Sequence, residues 1–213
     1  MIGVYVPTLG RPHVLQRLVD NIAGATVTPC EIVLVTEAHD PESQVAAAAT
    51  GATVLVNKYA PPSYSNSIQT AYERDDAPYF ICANDDFDFQ PGWDTAALEA
   101  MQDSSVHVVG IHDGYAGCRY STICLVDRRY IVALSGVIGI PNRVQYPYLH
   151  NYVDTEFYFT AVKRGVFRAC PASVILHRHP DFGHAEPDDT YRKSQATAAV
   201  DAETFAARAH LWA

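Results

Sequence analysis

A cluster of acidic side chains lies between an apolar segment and a Pro-Gly-Trp segment. Asp85, Asp86 and Asp88 fall within four consecutive positions that follow the apolar run Tyr79–Ala83. Carboxylates this close repel one another, and a cation that prefers oxygen ligands, such as Mg²⁺ or Mn²⁺, relieves the repulsion. Such a cation can bridge a diphosphate and stabilise the charge that develops on it as it leaves. A solvated acidic turn is the alternative, but the position directly after an apolar run favours a metal site.

Polar side chains also follow the other apolar runs near the start of the chain. Thr8 and Arg11 follow Ile2–Val6, and Glu37 follows Ile32–Val35. If these runs are parallel strands, their carboxyl ends meet at one edge of a sheet, where ligands of open α/β sheets bind. The sequence therefore predicts a polar ligand site at that edge.

The elements that position these residues alternate between strand and helix. Apolar runs of strand length are separated by stretches in which apolar residues recur at helical spacing. This order predicts a parallel sheet with helices on both faces. We expect strands over Ile2–Val6, Ile32–Val35, Thr53–Val56, Tyr79–Ala83, Val106–Ile111, Ser121–Val126, Val166–Ala169 and Val174–Leu176, and helices over Val14–Ile22, Pro41–Gly51 with Asp40 as N-cap, Ser65–Arg74, Asp94–Met101, Arg128–Leu134, Asp154–Arg164 and Ser194–Trp212.

The run Asn84–Trp93 resembles the D-x-D region of family-2-like GT-A glycosyltransferases, in which an acidic turn ends a strand and a Pro-Gly-Trp segment follows. Other segments resemble parts of that family in the same order, over about residues 2–180. These segments are Val4–Thr8 with Arg11, Ile32–Glu37, Ser65–Ser67, Tyr152–Glu156 and Val174–His177.

The resemblance implies a single domain with the GT-A (Rossmann-like) α/β fold, in which helices flank a mixed, mostly parallel central sheet. That domain would span residues 1–213, with a nucleotide-sugar-binding half over about 1–115 and an acceptor half over about 116–190. A C-terminal helix over about 194–212 would follow.

The resemblance also implies a role for individual side chains. The family transfers a sugar from a nucleotide diphosphate, most often a UDP-sugar, to a hydroxyl group with inversion, and it uses Mn²⁺ or Mg²⁺. By this resemblance Asp154 would be the general base, and Glu156 could share the role. A carboxylate that begins a helix stays ionised near the helix dipole and so is available as a base. The donor would contact Pro7, Thr8, Arg11, Glu37, Asn66, Asp85 and Asp86, and the metal would be held by Asp86, Asp88 and His177.

The sequence departs from the family pattern at two places. Val153 stands where an acid usually precedes the base, and Pro61–Tyr64 replaces a glycine-containing segment on the donor side. Without the family order, Asp154 and Glu156 would be interpreted as capping acids of a helix. The polar segment His177–Asp189 is interpreted as a solvated loop, a lid over the donor or, since imidazole suits Zn²⁺, a zinc site, although its spacing matches no structural zinc pattern.

Three other functions remain open at this point. The acceptor could be a hydroxylated base in DNA, as for some phage enzymes, rather than a glycan or small molecule. The net charge of −9, with 15 Lys and Arg residues, argues against a long DNA footprint, which needs many cations. A nucleotidyltransferase would need a Gly-rich basic loop, of which Gly10–Pro12 is a poor version. A non-catalytic sugar-nucleotide-binding module is the third possibility.

From the bulk properties we expect a soluble, cytoplasmic protein of one domain. The chain has 213 residues, of which 48% are hydrophobic and 18% are charged. No apolar run approaches the roughly 20 residues that a membrane span needs, and no basic segment precedes Pro7 to suggest a secretory signal. The five cysteines form no C-x-x-C pair and are expected to be reduced.

Overall fold

Strands and helices alternate along the first half of the chain, as the apolar pattern predicts. The computed structural model describes residues 1–118, 120, 122–184 and 186–212. The strands are β1 (Ile2–Pro7), β2 (Cys30–Thr36), β3 (Thr53–Val56), β4 (Tyr79–Cys82), β5 (Phe87–Phe89), β6 (Val108–His112), β7 (Cys124–Asp127) and β8 (Phe167–His177). The helices are α1 (Leu15–Ala25), α2 (Pro41–Ala49), α3 (Tyr64–Arg74), α4 (Trp93–Ala100), α5 (Arg128–Leu134), α6 (Val153–Lys163) and α7 (Asp189–Arg208).

The described strands form one mixed sheet in the order β3-β2-β1-β4-β7-β6-β8-β5. Neighbouring strands from β3 to β4 are parallel, whereas β7 runs antiparallel to both β4 and β6. The chain moves outward from β1 to β3 and then returns to place β4 on the other side of β1. This reversal creates a crevice beyond the carboxyl ends of β1 and β4, where α/β sheets bind ligands. The predicted α/β fold with a mixed sheet is confirmed.

The sheet core is apolar on both faces. Val4 and Val6 of β1 pack on one side with α1 and α4, and Tyr5 packs on the other with α3, α5 and α6. Helix α1 buries Leu15, Leu18, Val19, Ile22 and Ala25, which recur at the helical spacing seen in the sequence. Each fully buried aliphatic side chain contributes about 1.5–3 kcal/mol. None of the helices in the described ranges has the length and apolar character needed to cross a membrane.

The second half of the chain departs from the predicted boundaries. The strands expected over Val166–Ala169 and Val174–Leu176 are one strand, β8, whose pairing with β6 skips from Cys170 to Val174 at an irregularity. In the first half, strand β5 was not predicted, because its three residues lie within the acidic segment. The start of the strand expected at Ser121 falls outside the described residues. Helix α7 begins at Asp189 rather than Ser194 and ends at Arg208, where a short 3-10 turn follows.

Candidate active site

The carboxyl ends of β1, β2 and β4 open onto a cavity of about 420 Å³. It lies at the topological reversal between β1 and β4, where the sequence predicted a polar site. The cavity brings together most of the predicted site residues, from both halves of the chain. Its walls include Pro7, Thr8, Arg11, Glu37, Asp85, Asp86, Asp154 and His177.

Asp85 is anchored by the loop that follows β1. Its carboxylate accepts hydrogen bonds from the hydroxyl of Thr8 at 3.0 Å and from Nη1 of Arg11 at 2.7 Å. Burial raises the pKa of Asp85 to about 6, and the negative charge of Asp86 adds to the rise while Arg11 and Thr8 oppose it. Asp85 therefore joins the ends of β1 and β4 and orients Arg11.

Arg11 lies between three carboxylates. Besides Asp85, its guanidinium is 3.6 Å from Asp86 and donates at 2.6 Å to Asp188, the residue that caps the start of α7. The hydroxyl of Thr190 also donates to the carbonyl of Leu9 at 3.0 Å. Arg11, which was predicted to contact the donor, thus lies at the cavity, and α7 is held beside it.

Asp86 and His177 form the second polar contact of the site. Nε2 of His177 lies 3.3 Å from Oδ1 of Asp86, and both side chains line the cavity. Burial by itself raises the pKa of Asp86, but His177 and the positive charge of Arg11 outweigh it, so the pKa of Asp86 is lowered and the group is ionised at neutral pH. Oδ1 of Asp86 is buried and accepts no hydrogen bond within the described part of the chain.

A carboxylate and an imidazole are suitable ligands for a divalent cation. Within the described residues, no three His, Cys, Asp or Glu side chains are grouped so that they could hold a metal ion. Mg²⁺ is usually bound through one or two protein carboxylates and completes its shell with water and substrate phosphates. The buried, unsatisfied oxygen of Asp86 beside His177 fits such a partial site, which a diphosphate would complete.

Asp88 lies outside the cavity, contrary to its predicted role as a metal ligand. It belongs to β5, where Phe87 and Phe89 on either side are buried in the core and Asp88 points to the opposite face. Its carboxylate pairs with Nη2 of Arg178 at 2.5 Å. Asp88 is therefore not placed to bind a metal in the cavity, and Asp86 and His177 remain the predicted ligands.

Asp154 lies in the first turn of α6 and lines the cavity. Its Oδ1 accepts hydrogen bonds from the backbone amide and the hydroxyl of Thr155, at 2.7 Å and 3.2 Å. Burial raises the pKa of Asp154, and the bonds from Thr155 oppose the rise without cancelling it. Asp154 therefore ionises less readily than its position at the start of a helix predicts, because desolvation is the larger effect.

Glu156 is turned away from the cavity and is not placed to share the base role. Only 1% of its side chain is exposed, and its two oxygens accept from Nη2 of Arg208 at 2.7 Å and from Nε at 2.9 Å. The hydroxyl of Tyr148 donates to the same carboxylate at 2.6 Å. Glu156 therefore ties α6 to the end of α7.

The two remaining donor-side predictions have different outcomes. Glu37 is buried in the cavity wall, where Oε1 accepts from Nδ2 of Asn57 at 2.9 Å and from the hydroxyl of Ser67 at 3.0 Å. Asn66 does not line the cavity, because it donates to the carbonyl of Pro61 at 2.7 Å and accepts from Arg143. The structure thus brings Glu37 to the site and leaves Asn66 as a support for α3.

Two segments that follow the expected nucleotide-sugar-binding half complete the cavity. The loop that precedes α6 and one face of α7 form the wall beside Asp154. Asp188 caps α7 by accepting from the amide of Tyr191 at 2.8 Å, and this N-cap signal could have revealed the early start of the helix. The lining residues from these segments are Leu149, His150, Asn151, Tyr152, Thr190, Tyr191, Lys193, Ser194 and Thr197.

Comparison with known proteins gives one family and a set of solved structures. The model of the family described as glycosyl transferase family 2 matches residues 3–124. One similar structure is that of glucosyl-3-phosphoglycerate synthase from Mycobacterium tuberculosis in complex with Mn²⁺, uridine diphosphate and phosphoglyceric acid. The TM-score is 0.66 at 13% sequence identity, and the match covers 94% of this chain and 78% of that chain. The same synthase with Mg²⁺ and uridine diphosphate gives a TM-score of 0.64 at 12% identity, over 94% of this chain and 79% of that one. Comparison with curated protein sequences finds no match.

Proposed function

Because the chain belongs to glycosyl transferase family 2, we propose that it transfers a sugar from a nucleotide diphosphate donor to a hydroxyl acceptor, with help from a divalent metal. The observation that carries the proposal is the Asp86–His177 pair, 3.3 Å apart at the edge of a 420 Å³ cavity. Cavities that bind small ligands span about 300–1,000 Å³.

Asp86 and His177 would hold the metal, for which Mn²⁺ and Mg²⁺ are the candidates. When bound, such a cation offsets the negative charge that develops on a leaving diphosphate. Solved structures with the same fold contain Mn²⁺ or Mg²⁺ together with uridine diphosphate, which supports this choice. Asp85 would act indirectly, because it orients Arg11 towards the same end of the cavity.

The donor would lie along the carboxyl ends of β1 and β2. Arg11 offers a cation to the phosphates, Thr8 lies beside it with its hydroxyl bonded to Asp85, and Glu37 offers a carboxylate to the nucleobase. The bonds from Asn57 and Ser67 hold Glu37 in one orientation, so little side-chain entropy is lost on binding. We propose a UDP-sugar donor, and the uridine diphosphate seen in the structural relatives supports it.

Asp154 would act as the general base. The acceptor hydroxyl would transfer its proton to the carboxylate of Asp154 as its oxygen bonds to the anomeric carbon, and the bond from that carbon to the diphosphate oxygen would break. A single displacement of this kind inverts the anomeric configuration. Burial makes Asp154 a stronger base than an exposed aspartate, which favours proton transfer near neutral pH.

The alternative functions fit this geometry less well. Among the lining residues that the structure describes, the Lys and Arg side chains are Arg11 and Lys193, which are fewer cations than the phosphates of a DNA backbone require. A hydroxylated base within DNA is thus disfavoured relative to a glycan or small-molecule acceptor. The amide of Gly10 donates to Asp40 at 2.6 Å, so it is not available for the phosphate loop of a nucleotidyltransferase.

A thermal-shift screen tests the proposal. UDP-glucose, UDP-galactose, UDP-N-acetylglucosamine, GDP-mannose and dTDP-glucose would each be added with and without Mn²⁺. A ligand at 100 times its Kd stabilises the folded state by about 2.7 kcal/mol, so the correct donor should raise Tm by several degrees only with the metal present. The absence of a metal-dependent shift with every nucleotide sugar would contradict the proposal.

A further inference from the structure

Asp201 is a buried carboxylate in the middle of α7, with 2% of the residue exposed. Its two oxygens accept hydrogen bonds from three successive backbone amides, those of Leu149 at 2.9 Å, His150 at 2.9 Å and Asn151 at 2.8 Å. Successive amides that converge in this way form a concave anion site. Here the anion is a side chain of the same protein, 50 residues further along the chain.

A second set of contacts joins the same loop to the same helix. Nδ2 of Asn151 donates to the carbonyl of Ser194 at 3.1 Å. The ring of Tyr152 stacks on Phe205, with the ring centroids 4.8 Å apart. Tyr152 has a φ of +63°, and α6 begins at the next residue. The loop that precedes α6 is therefore held against α7 by its side chains as well as by its backbone amides.

The loop and the helix form one continuous wall beside the expected base. His150, Asn151 and Tyr152 line the cavity from the loop, and Lys193 and Ser194 line it from α7. This wall lies beyond residues 3–124, which match the family model. It combines an aromatic ring with imidazole, amide, ammonium and hydroxyl groups. A saccharide can pack its apolar C–H faces on an aromatic ring and form hydrogen bonds to the polar groups through its hydroxyls.

We propose that loop 149–152 and the facing side of α7 form the acceptor subsite, that the acceptor is a saccharide, and that Asp201 is its positioning residue. This inference rests on the proposed glycosyl transfer. Asp201 acts through the loop and does not contact the substrates. Its three hydrogen bonds hold the side chains of the subsite in place relative to Asp154.

Kinetic analysis of Asp201→Asn and Asp201→Ala tests the inference. The donor is the nucleotide sugar that stabilises the protein most in the screen described above, with Mn²⁺. The acceptors are the methyl glycosides of glucose, galactose, mannose and N-acetylglucosamine, and the release of nucleoside diphosphate is followed. Glu203→Gln is the matched control, because Glu203 is exposed on the same helix. Hydrogen exchange of amides 149–151 reports directly on the loop.

We expect Asp201→Asn to raise the acceptor KM at least tenfold, while the donor Kd and the slow hydrolysis of the donor by water change less than twofold. Amides 149–151 should exchange at least tenfold faster, and amides in β1 and β4 should be unaffected. Glu203→Gln should match the wild-type protein in each measurement. Asp201→Ala should show a larger effect of the same kind, and its Tm shows whether it remains folded.

Three results would overturn the inference, each in a recognisable way. If loop amides exchange faster but acceptor KM is unchanged, Asp201 has only a structural role. If no methyl glycoside speeds nucleotide release by a wild-type protein that hydrolyses the donor, the saccharide assignment is wrong. If the wild-type protein neither binds nor hydrolyses any nucleotide sugar, the proposed function fails and the acceptor subsite fails with it.

Discussion

Nε2 of His177, at the end of β8, lies 3.3 Å from Oδ1 of Asp86, in the turn after β4. The pairing of β5 with β8 produces this contact, because it places Phe87 directly opposite His177. The two rings pack edge to face with centroids 4.9 Å apart, and the amide of Arg178 donates to the carbonyl of Asp86 at 3.0 Å. Two residues 91 positions apart in the sequence are thus held as a pair at the cavity edge.

Removal of either member of this pair should abolish metal-dependent donor binding. We expect Asp86→Asn and His177→Ala each to weaken Mn²⁺-dependent binding of uridine diphosphate at least tenfold and to reduce turnover at least about 100-fold, since a single ligand remains to hold the cation. Isothermal titration calorimetry with and without Mn²⁺ measures the binding. Asp88→Asn is the control, because Asp88 pairs with Arg178 away from the cavity. If Asp88→Asn weakens Mn²⁺-dependent binding of uridine diphosphate to the same extent, Asp88 is a metal ligand after all.

Substitution of Asp154 should separate catalysis from donor binding. Asp154→Asn keeps the shape of the side chain but removes the base, and we expect turnover to fall by about 10²–10⁴-fold. The Kd for the donor with Mn²⁺ should change less than threefold. Initial-rate kinetics and calorimetry on the same preparation provide both numbers, and proton NMR of the wild-type product determines whether the anomer is inverted. Wild-type turnover in Asp154→Asn would reject Asp154 as the base.

The raised pKa of Asp154 has a consequence for stability as well as for rate. The folded state binds this proton more tightly than the unfolded state, in which the pKa is close to its ordinary value of 3.8. Between that value and the raised pKa the unfolded state therefore binds fewer protons, and the contribution of Asp154 to stability falls as pH increases. The side chain of Asn does not ionise, so Asp154→Asn should have a higher Tm than the wild-type protein at pH 7. The two Tm values should be closer together at pH 4. Differential scanning calorimetry at both values measures the effect. A lower Tm for the variant at pH 7 would contradict it.

Over the same pH range the rate should change in the opposite direction. Turnover needs the ionised carboxylate, so kcat should increase with pH through the raised pKa of Asp154 and then level off. A pH profile of kcat at saturating donor and acceptor tests this. A midpoint at or below the ordinary value of 3.8 would show that Asp154 is not the titrating base.

Glu156 and Arg208 should matter for stability rather than for chemistry. Their ion pair is buried, with 1% and 17% of the side chains exposed, and Glu156→Gln leaves Arg208 without its counter-charge. Loss of one partner of a buried pair costs about 3–5 kcal/mol, which urea denaturation can measure. Asp189→Asn is a matched control, because its pair with Arg192 is 85% and 63% exposed and should contribute less than about 1 kcal/mol. A loss of turnover without a loss of stability in Glu156→Gln would instead indicate a role in the reaction.

Local patterns in the sequence determined the strands and helices that build the donor side. Leu15, Leu18 and Ile22 recur at helical spacing and are buried together, and the apolar run from Thr53 to Val56 is β3 as expected. Because parallel strands end at a common edge, the sequence also placed Thr8 and Asp86 at the same site. These features depend on residues close together in the chain, so periodicity was sufficient to predict them.

The assignment of the acids within each cluster was decided only by the tertiary structure. Asp86 and Asp88 differ by two positions, and so do Asp154 and Glu156, so the sequence presented each pair as near equivalents. Strand β5, formed only by pairing with β8, turns Asp88 towards Arg178. Residues two apart on a helix point about 200° apart, so α6 directs Asp154 to the cavity and Glu156 to Arg208 of α7. The orientations of these acids depend on contacts between segments 50 to 90 residues apart. No local pattern in the sequence predicts which distant segment packs against which face of a strand or helix.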